Sequence, residues 1–134
     1  MQFNYCDSKP TNSVHEQKLD SKKRPGLEKE QTNIHVSIHI RRIGPVDERK
    51  EVVYLNCYFR QYWKDRRLVY NTPKVKELSL NYNMKDFIWR PDTYFINGRE
   101  SFLHKVSVPN RFFRIKRSGE VCYSQRLTLC FECR

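Results

Sequence analysis

The stretch Arg111-Phe112-Phe113-Arg114-Ile115-Lys116-Arg117-Ser118-Gly119-Glu120-Val121-Cys122-Tyr123-Ser124-Gln125-Arg126-Leu127-Thr128-Leu129-Cys130-Phe131 decides the fold. Two arms, Arg111 to Lys116 and Glu120 to Cys133, flank Arg117-Ser118-Gly119, a short glycine-containing loop that closes a hairpin. Side chains of a strand alternate between its faces. Val121, Tyr123, Leu127, Leu129 and Phe131 therefore share one face, and Ser124, Arg126 and Thr128 the other. The same period runs upstream from Val52 to Trp63. There the odd positions Val53, Leu55, Cys57, Phe59 and Trp63 are apolar, with Gln61 the exception. The even positions are Tyr54, Asn56, Tyr58, Arg60 and Tyr62, so Tyr58 and Arg60 are expected together on the outer face.

Further upstream, Ile34, Val36, Ile38 and Ile40 alternate with His35, Ser37 and His39. This pattern predicts a half-buried strand, which Gly44-Pro45 is expected to break. Short strands are expected near residues 78–82, 87–90 and 102–108. Short strands with frequent turns predict an all-β sandwich or barrel. Residues 1–33 are polar and charged, and read as a tail with one short helical turn around Val14 to Leu19. Arg24-Pro25-Gly26 reads as a turn. Residues 34–134 are left to form the domain.

A chain of 134 residues holds one domain at most. Lys+Arg of 26 against Asp+Glu of 15 gives a formal charge of +11, which favours acidic partners. The basic residues are scattered, with Lys22-Lys23-Arg24 as the single run, a weak pattern for a nucleic-acid stripe. No stretch approaches the ~20 apolar residues of a membrane span. Met1 to Leu19 holds no apolar core of a signal peptide. Five cysteines leave at least one without a partner inside the chain.

Two outward pairs carry the candidate chemistry: Tyr58 with Arg60, and Ser124 with Arg126. A guanidinium offers a fixed fork of donors that matches a carboxylate. An aromatic face can hold an amine by cation–π attraction. Two arginines, a hydroxyl and an aromatic ring suit a zwitterionic amino acid, although cross-strand surface pairing would use the same residues. Trp63 and Trp89 read as core, and Asp92 after Pro91 as turn chemistry. Cys130-Phe131-Glu132-Cys133 has C-x-x-C spacing, but zinc needs four ligands, and residues three apart on a strand point to opposite faces. His35 and His39 lie ~13 Å apart along a strand, too far to share one metal ion. No metal or cofactor is expected. With no catalytic triad, Cys-His pair or phosphate loop in view, no enzyme is expected either.

Several segments, in order, resemble the extracellular ligand-binding domain of Cys-loop receptor subunits. The similarity covers about residues 20 to 134 and is closest to the anion-channel branch, the gamma-aminobutyric acid type A and glycine receptors. Arg24-Pro25-Gly26 is similar to the turn after the family's N-terminal helix. Ile43-Gly44-Pro45-Val46 is similar to the end of its first strand. Tyr58-Phe59-Arg60-Gln61-Tyr62-Trp63-Lys64-Asp65 resembles the second strand with binding loop D. Trp89-Arg90-Pro91-Asp92-Thr93-Tyr94-Phe95-Ile96-Asn97-Gly98 resembles loop A. Val108-Pro109-Asn110, with Phe112 to Ile115 and Gly119 to Thr128, resembles the loop E hairpin.

The resemblance implies an immunoglobulin-like β-sandwich, here incomplete, with strands 1 to 6 of the family and a polar N-terminal tail. It implies that Tyr58, Arg60, Phe112, Ser124 and Arg126 line the complementary face of an inter-subunit site, with Arg60 meeting a ligand carboxylate. Tyr94 would be the loop A aromatic of the principal face. Trp63, Trp89, Pro91 and Asp92 would hold shape, and Cys133 would be the first cysteine of the family's loop. Loops B and C, the second loop cysteine, the membrane helices and the pore are expected outside this sequence. Ile96 stands where benzodiazepine-sensitive subunits carry histidine. The implied protein is a fragment of a neurotransmitter-gated chloride-channel subunit at the plasma membrane, on its extracellular side. Its implied partners are other subunits of a pentamer and a small amino acid such as GABA, glycine or glutamate. The alternatives are a stand-alone basic β-domain that binds nucleic acid or polyanions, and a decoy that alters receptor assembly.

Overall fold

The computed structural model describes residues 20–26, 30–80 and 86–133. The helical turn expected around Val14 to Leu19 lies outside these residues. Among them six strands form one antiparallel sheet: β1 (His35–Asp47), β2 (Val52–Lys64), β3 (Glu77–Leu80), β4 (Phe102–Leu103), β5 (Arg111–Lys116) and β6 (Glu120–Glu132). Their order across the sheet is β1-β2-β6-β5-β3. β4 pairs with β6 at Thr128 and Leu127, beyond the reach of β5, whose pairing stops at Gln125. A 3-10 turn, Arg66–Leu68, follows β2. No described helix is long and apolar enough to cross a membrane.

β2 and β6 are the spine, each 13 residues long and paired without a slip from Val52↔Glu132 to Lys64↔Glu120. A continuous register preserves the alternation of both strands, so one face of the sheet is mainly apolar, with Gln61 and Gln125 its polar members. At the hairpin end that face holds Trp63, Phe113, Ile115, Val121 and Tyr123, and Ile88 packs over them. All six are buried. At the other end Phe59 packs edge-on to Phe95, which in turn meets Phe131. The hairpin closes on Gly119, whose φ of +81° belongs to the left-handed region that favours glycine. An added Cβ would sit 2.5 Å from the Asp65 carbonyl oxygen.

Asp65, 1% exposed, accounts for the sharp exit from β2. Its carboxylate accepts from the Arg67 backbone N–H at 3.0 Å, from Arg67 Nε at 2.9 Å and from Nη2 at 2.8 Å. The bidentate fork neutralises a charge that would otherwise be costly to bury. Arg67 also donates to the Asp20 carbonyl, tying the N-terminal segment to this corner.

Four expectations fail here. β1 does not stop at Gly44-Pro45 but runs through to Asp47, because shifts after Ile40 and after Ile43 absorb the extra residues. Such bulges let a strand keep pairing past an insertion. β1 is also not half-buried: Val36, Ile38, Ile40, Ile43 and Val46 are 47–65% exposed, since no described element packs over the sheet edge they occupy. Residues 86–88 form a turn, so the strand expected at 87–90 is absent, its place on the apolar face being taken by Ile88 and Trp89. The expected strand at 102–108 shrinks to Phe102–Leu103.

Candidate functional site

The outward face of the sheet is built in rows by the register. One row runs Ser37–Arg60–Ser124–Phe112 across β1, β2, β6 and β5. The next holds His39, Tyr58 and Arg126, and the one on the other side His35, Tyr62, Cys122 and Arg114. Directly opposed residues lie ~4.5–5.5 Å apart between Cβ atoms. The structure thus brings together Tyr58, Arg60, Phe112, Ser124 and Arg126, five of the six candidate ligand residues. Three of them, Tyr58, Arg60 and Phe112, line an open groove of ≈ 1260 Å³ together with Arg114 and Cys122.

The electrostatics of this face favour anions. Arg60 and Arg126 have no ion-pair partner among the described residues, and the Nε atom of each is buried without a hydrogen bond. The Ser124 hydroxyl, in a residue 1% exposed, also lacks a partner. Arg114 is placed differently: it pairs with Glu77 at 3.4 Å and lies 4.9 Å over the Phe112 ring. Burial pushes the Cys122 thiol up, opposed by a hydrogen bond from Tyr62 and by the charges of Arg60 and Arg114.

Tyr58 is engaged in a way the sequence reading missed. Arg41 of β1 donates to the Tyr58 hydroxyl at 2.9 Å, and its guanidinium carbon lies 5.5 Å from the ring centroid. Arg60 lies 5.8 Å from the same ring. Arg41 is the extra residue of the first β1 bulge, and bulges re-aim side chains in this way. The signal was present: alternation from His35 through Ser37 and His39 puts Arg41 on the same face. Beside Arg126, His104 Nε2 lies 2.8 Å from Thr128 Oγ1 and 3.1 Å from Asn56 Nδ2. Burial first, and the Arg126 charge second, hold its imidazole below the usual histidine range.

Tyr94 does not join this cluster. It is 79% exposed in the segment that crosses the apolar face, so the sheet lies between it and Arg60. The segment is anchored by Trp89, edge-on to Trp63 at 5.9 Å, and by Phe95 against Phe59 at 5.2 Å. Trp63 is core, as expected, and Trp89 is half-buried against it. Pro91 is half-buried and Asp92 exposed. Cys130 is buried and Cys133 exposed, so the C-x-x-C pair does not converge. Among the described residues no group of three or more His, Cys, Asp or Glu side chains is placed to hold a metal ion.

An all-β domain with an arginine-rich outer face and a separate exposed aromatic loop is a binding module in form. The sequence profile of the neurotransmitter-gated ion-channel ligand binding domain matches residues 9–134, and the chain belongs to that family. It is 41% identical over 114 residues to the gamma-aminobutyric acid receptor alpha-like protein of Drosophila melanogaster, covering 85% of this chain and 16% of that protein. Gamma-aminobutyric acid receptor subunits alpha-4 and alpha-2 of Rattus norvegicus are each 39% identical over 114 residues, covering 85% of this chain and 20% and 25% of those subunits. The chain therefore spans a quarter or less of the length of these relatives. They are receptor subunits, not enzymes.

Proposed function

We propose that this chain contributes the complementary half of an inter-subunit site for a small amino-acid transmitter, within an anion-conducting receptor subunit. Arg60 and Arg126 would take the ligand carboxylate, Ser124 would donate to it, and Tyr58 and Phe112 would wall it in. Tyr94 would serve the neighbouring interface from the principal side. The carrying observation is the pair of guanidiniums without ion-pair partners on one face, with Tyr94 on the opposite side of the same sheet. A single copy cannot close such a site, whereas adjacent subunits in a ring can. By the names of its relatives, the receptor would respond to gamma-aminobutyric acid or a close analogue and sit in the plasma membrane with this domain outside. A polyanion groove is less well supported, because Arg114 and Lys116 are paired with Glu77 and Glu120 and so interrupt a basic stripe.

The test uses the full-length subunit carrying this sequence, expressed in oocytes and challenged with gamma-aminobutyric acid, glycine and glutamate. Losing a charge-assisted bond to carboxylate costs ~1.5–3 kcal/mol. Arg60→Ala is therefore expected to lower potency for the active transmitter by roughly one to two decades. Arg49→Ala, in the exposed β1–β2 turn, should leave it within about twofold. Equal effects from the two substitutions would remove the carboxylate assignment.

A further inference from the structure

β2 works on both sides of the sheet at once. Its outward residues Tyr58 and Arg60 alternate with Phe59, Gln61 and Trp63, which are 3%, 1% and 3% exposed on the apolar face. Each of these three holds one residue of the segment 89–95. Trp63 meets Trp89 edge-on, Gln61 Nε2 donates to Thr93 Oγ1, and Phe59 meets Phe95 edge-on. Between its anchors the segment borders a hollow of ≈ 730 Å³ lined in part by Arg111, Tyr123 and Gln125, and Asp92 and Tyr94 on either side of Thr93 are exposed. A buried amide in an aromatic row is costly unless hydrogen-bonded. The bond to Thr93 is what accounts for a glutamine at an otherwise apolar position.

We infer that Gln61 is a positioning residue for Tyr94: through Thr93 it fixes the exposed aromatic of one binding face from the strand that carries the arginine of the other. The inference rests on the assignment of Tyr94 to the principal side. One strand then sets the geometry of two neighbouring sites. A displacement of β2 when Arg60 takes a ligand is carried to Tyr94 through one amide and one hydroxyl.

The test uses the full-length subunit in pentamers arranged so that it offers either the Tyr94 face or the Arg60 face to agonist. A neutral buried hydrogen bond is worth roughly threefold to tenfold in an equilibrium constant. At the Tyr94 face, Gln61→Leu and Thr93→Val should each lower potency by about that factor. The double variant should be no worse than either single one, and Thr93→Ser, which keeps the hydroxyl, should stay near wild type. At the Arg60 face the same changes should shift potency less than about twofold. In parallel, hydrogen exchange on this chain should show faster amide exchange at 92–96 in Gln61→Leu, with the β2–β6 ladder unchanged. Additive single effects, equal shifts at both faces, or unchanged exchange at 92–96 would overturn the inference. So would faster exchange with no change of potency at the Tyr94 face, since the clamp would then be purely structural. Failure of Arg60→Ala to matter at the other face would instead remove the ligand reading.

Discussion

Replacing Asp65 by asparagine tests the corner that ends β2. Its side chain is 1% exposed and that of Arg67 is 13% exposed, so the pair is little screened by solvent. The substitution keeps an oxygen to accept from the Arg67 backbone N–H but removes the charge that two guanidinium nitrogens contact at 2.8 and 2.9 Å. Removing one partner of a buried pair leaves the other charge uncompensated, at a cost of ~3–5 kcal/mol. The retained acceptor places Asp65→Asn near the lower bound, about 3 kcal/mol. Asp65→Ala also loses the cap on Arg66–Leu68, worth ~1 kcal/mol, and should reach about 4. Against a total of ~5–15 kcal/mol these are large losses. The assay is urea unfolding of the chain with reductant present, followed by tryptophan fluorescence, with Trp63 as the buried reporter. Arg66→Ala, whose pair with Glu30 is exposed, serves as the control and should change stability by less than ~0.5 kcal/mol. An Asp65→Asn midpoint indistinguishable from that of Arg66→Ala, at equal slope, would refute the argument that this pair holds the corner.

Gly119→Ala should destabilise by at least ~2 kcal/mol in the same urea assay, because its φ is +81° and its Cβ would meet Asp65 O at 2.5 Å and Val69 Cγ2 at 2.9 Å; the neighbouring Ser118→Ala should be neutral. His104 has a depressed folded-state pKa, so below ~6.5 the unfolded chain takes up the proton more readily; its contribution is present above that pH and lost as pH falls toward the folded value. His104→Gln should therefore flatten the fall in stability between pH 7 and 5, as read by unfolding midpoints at a series of pH values. The apolar row of β1 should make the chain self-associate, and Ile38→Lys with Ile43→Lys should shift reduced protein toward monomer in size-exclusion chromatography; a wild-type monomer would count against that role for the row.

The sequence by itself determined the spine of the molecule. The β2 and β5–β6 strands, their faces and the Gly119 hairpin follow from a period of two and from turn chemistry, which are local properties of the chain. Because β2 and β6 pair without a slip, those faces also placed Tyr58, Arg60, Ser124 and Arg126 side by side. What local pattern could not set is whether another layer covers a strand. β1 has the alternation of a half-buried strand, yet its apolar row is exposed, since burial depends on what packs against it. Nor could it set pairings between distant residues. Arg41 reaches Tyr58 across 17 positions, and Gln61 reaches Thr93 across 32. The glutamine looked like an interruption of an apolar row until its partner was in view. Its bond exists because the tertiary fold lays residues 89–95 across the buried face of β2, and only there does a buried amide find the oxygen it needs.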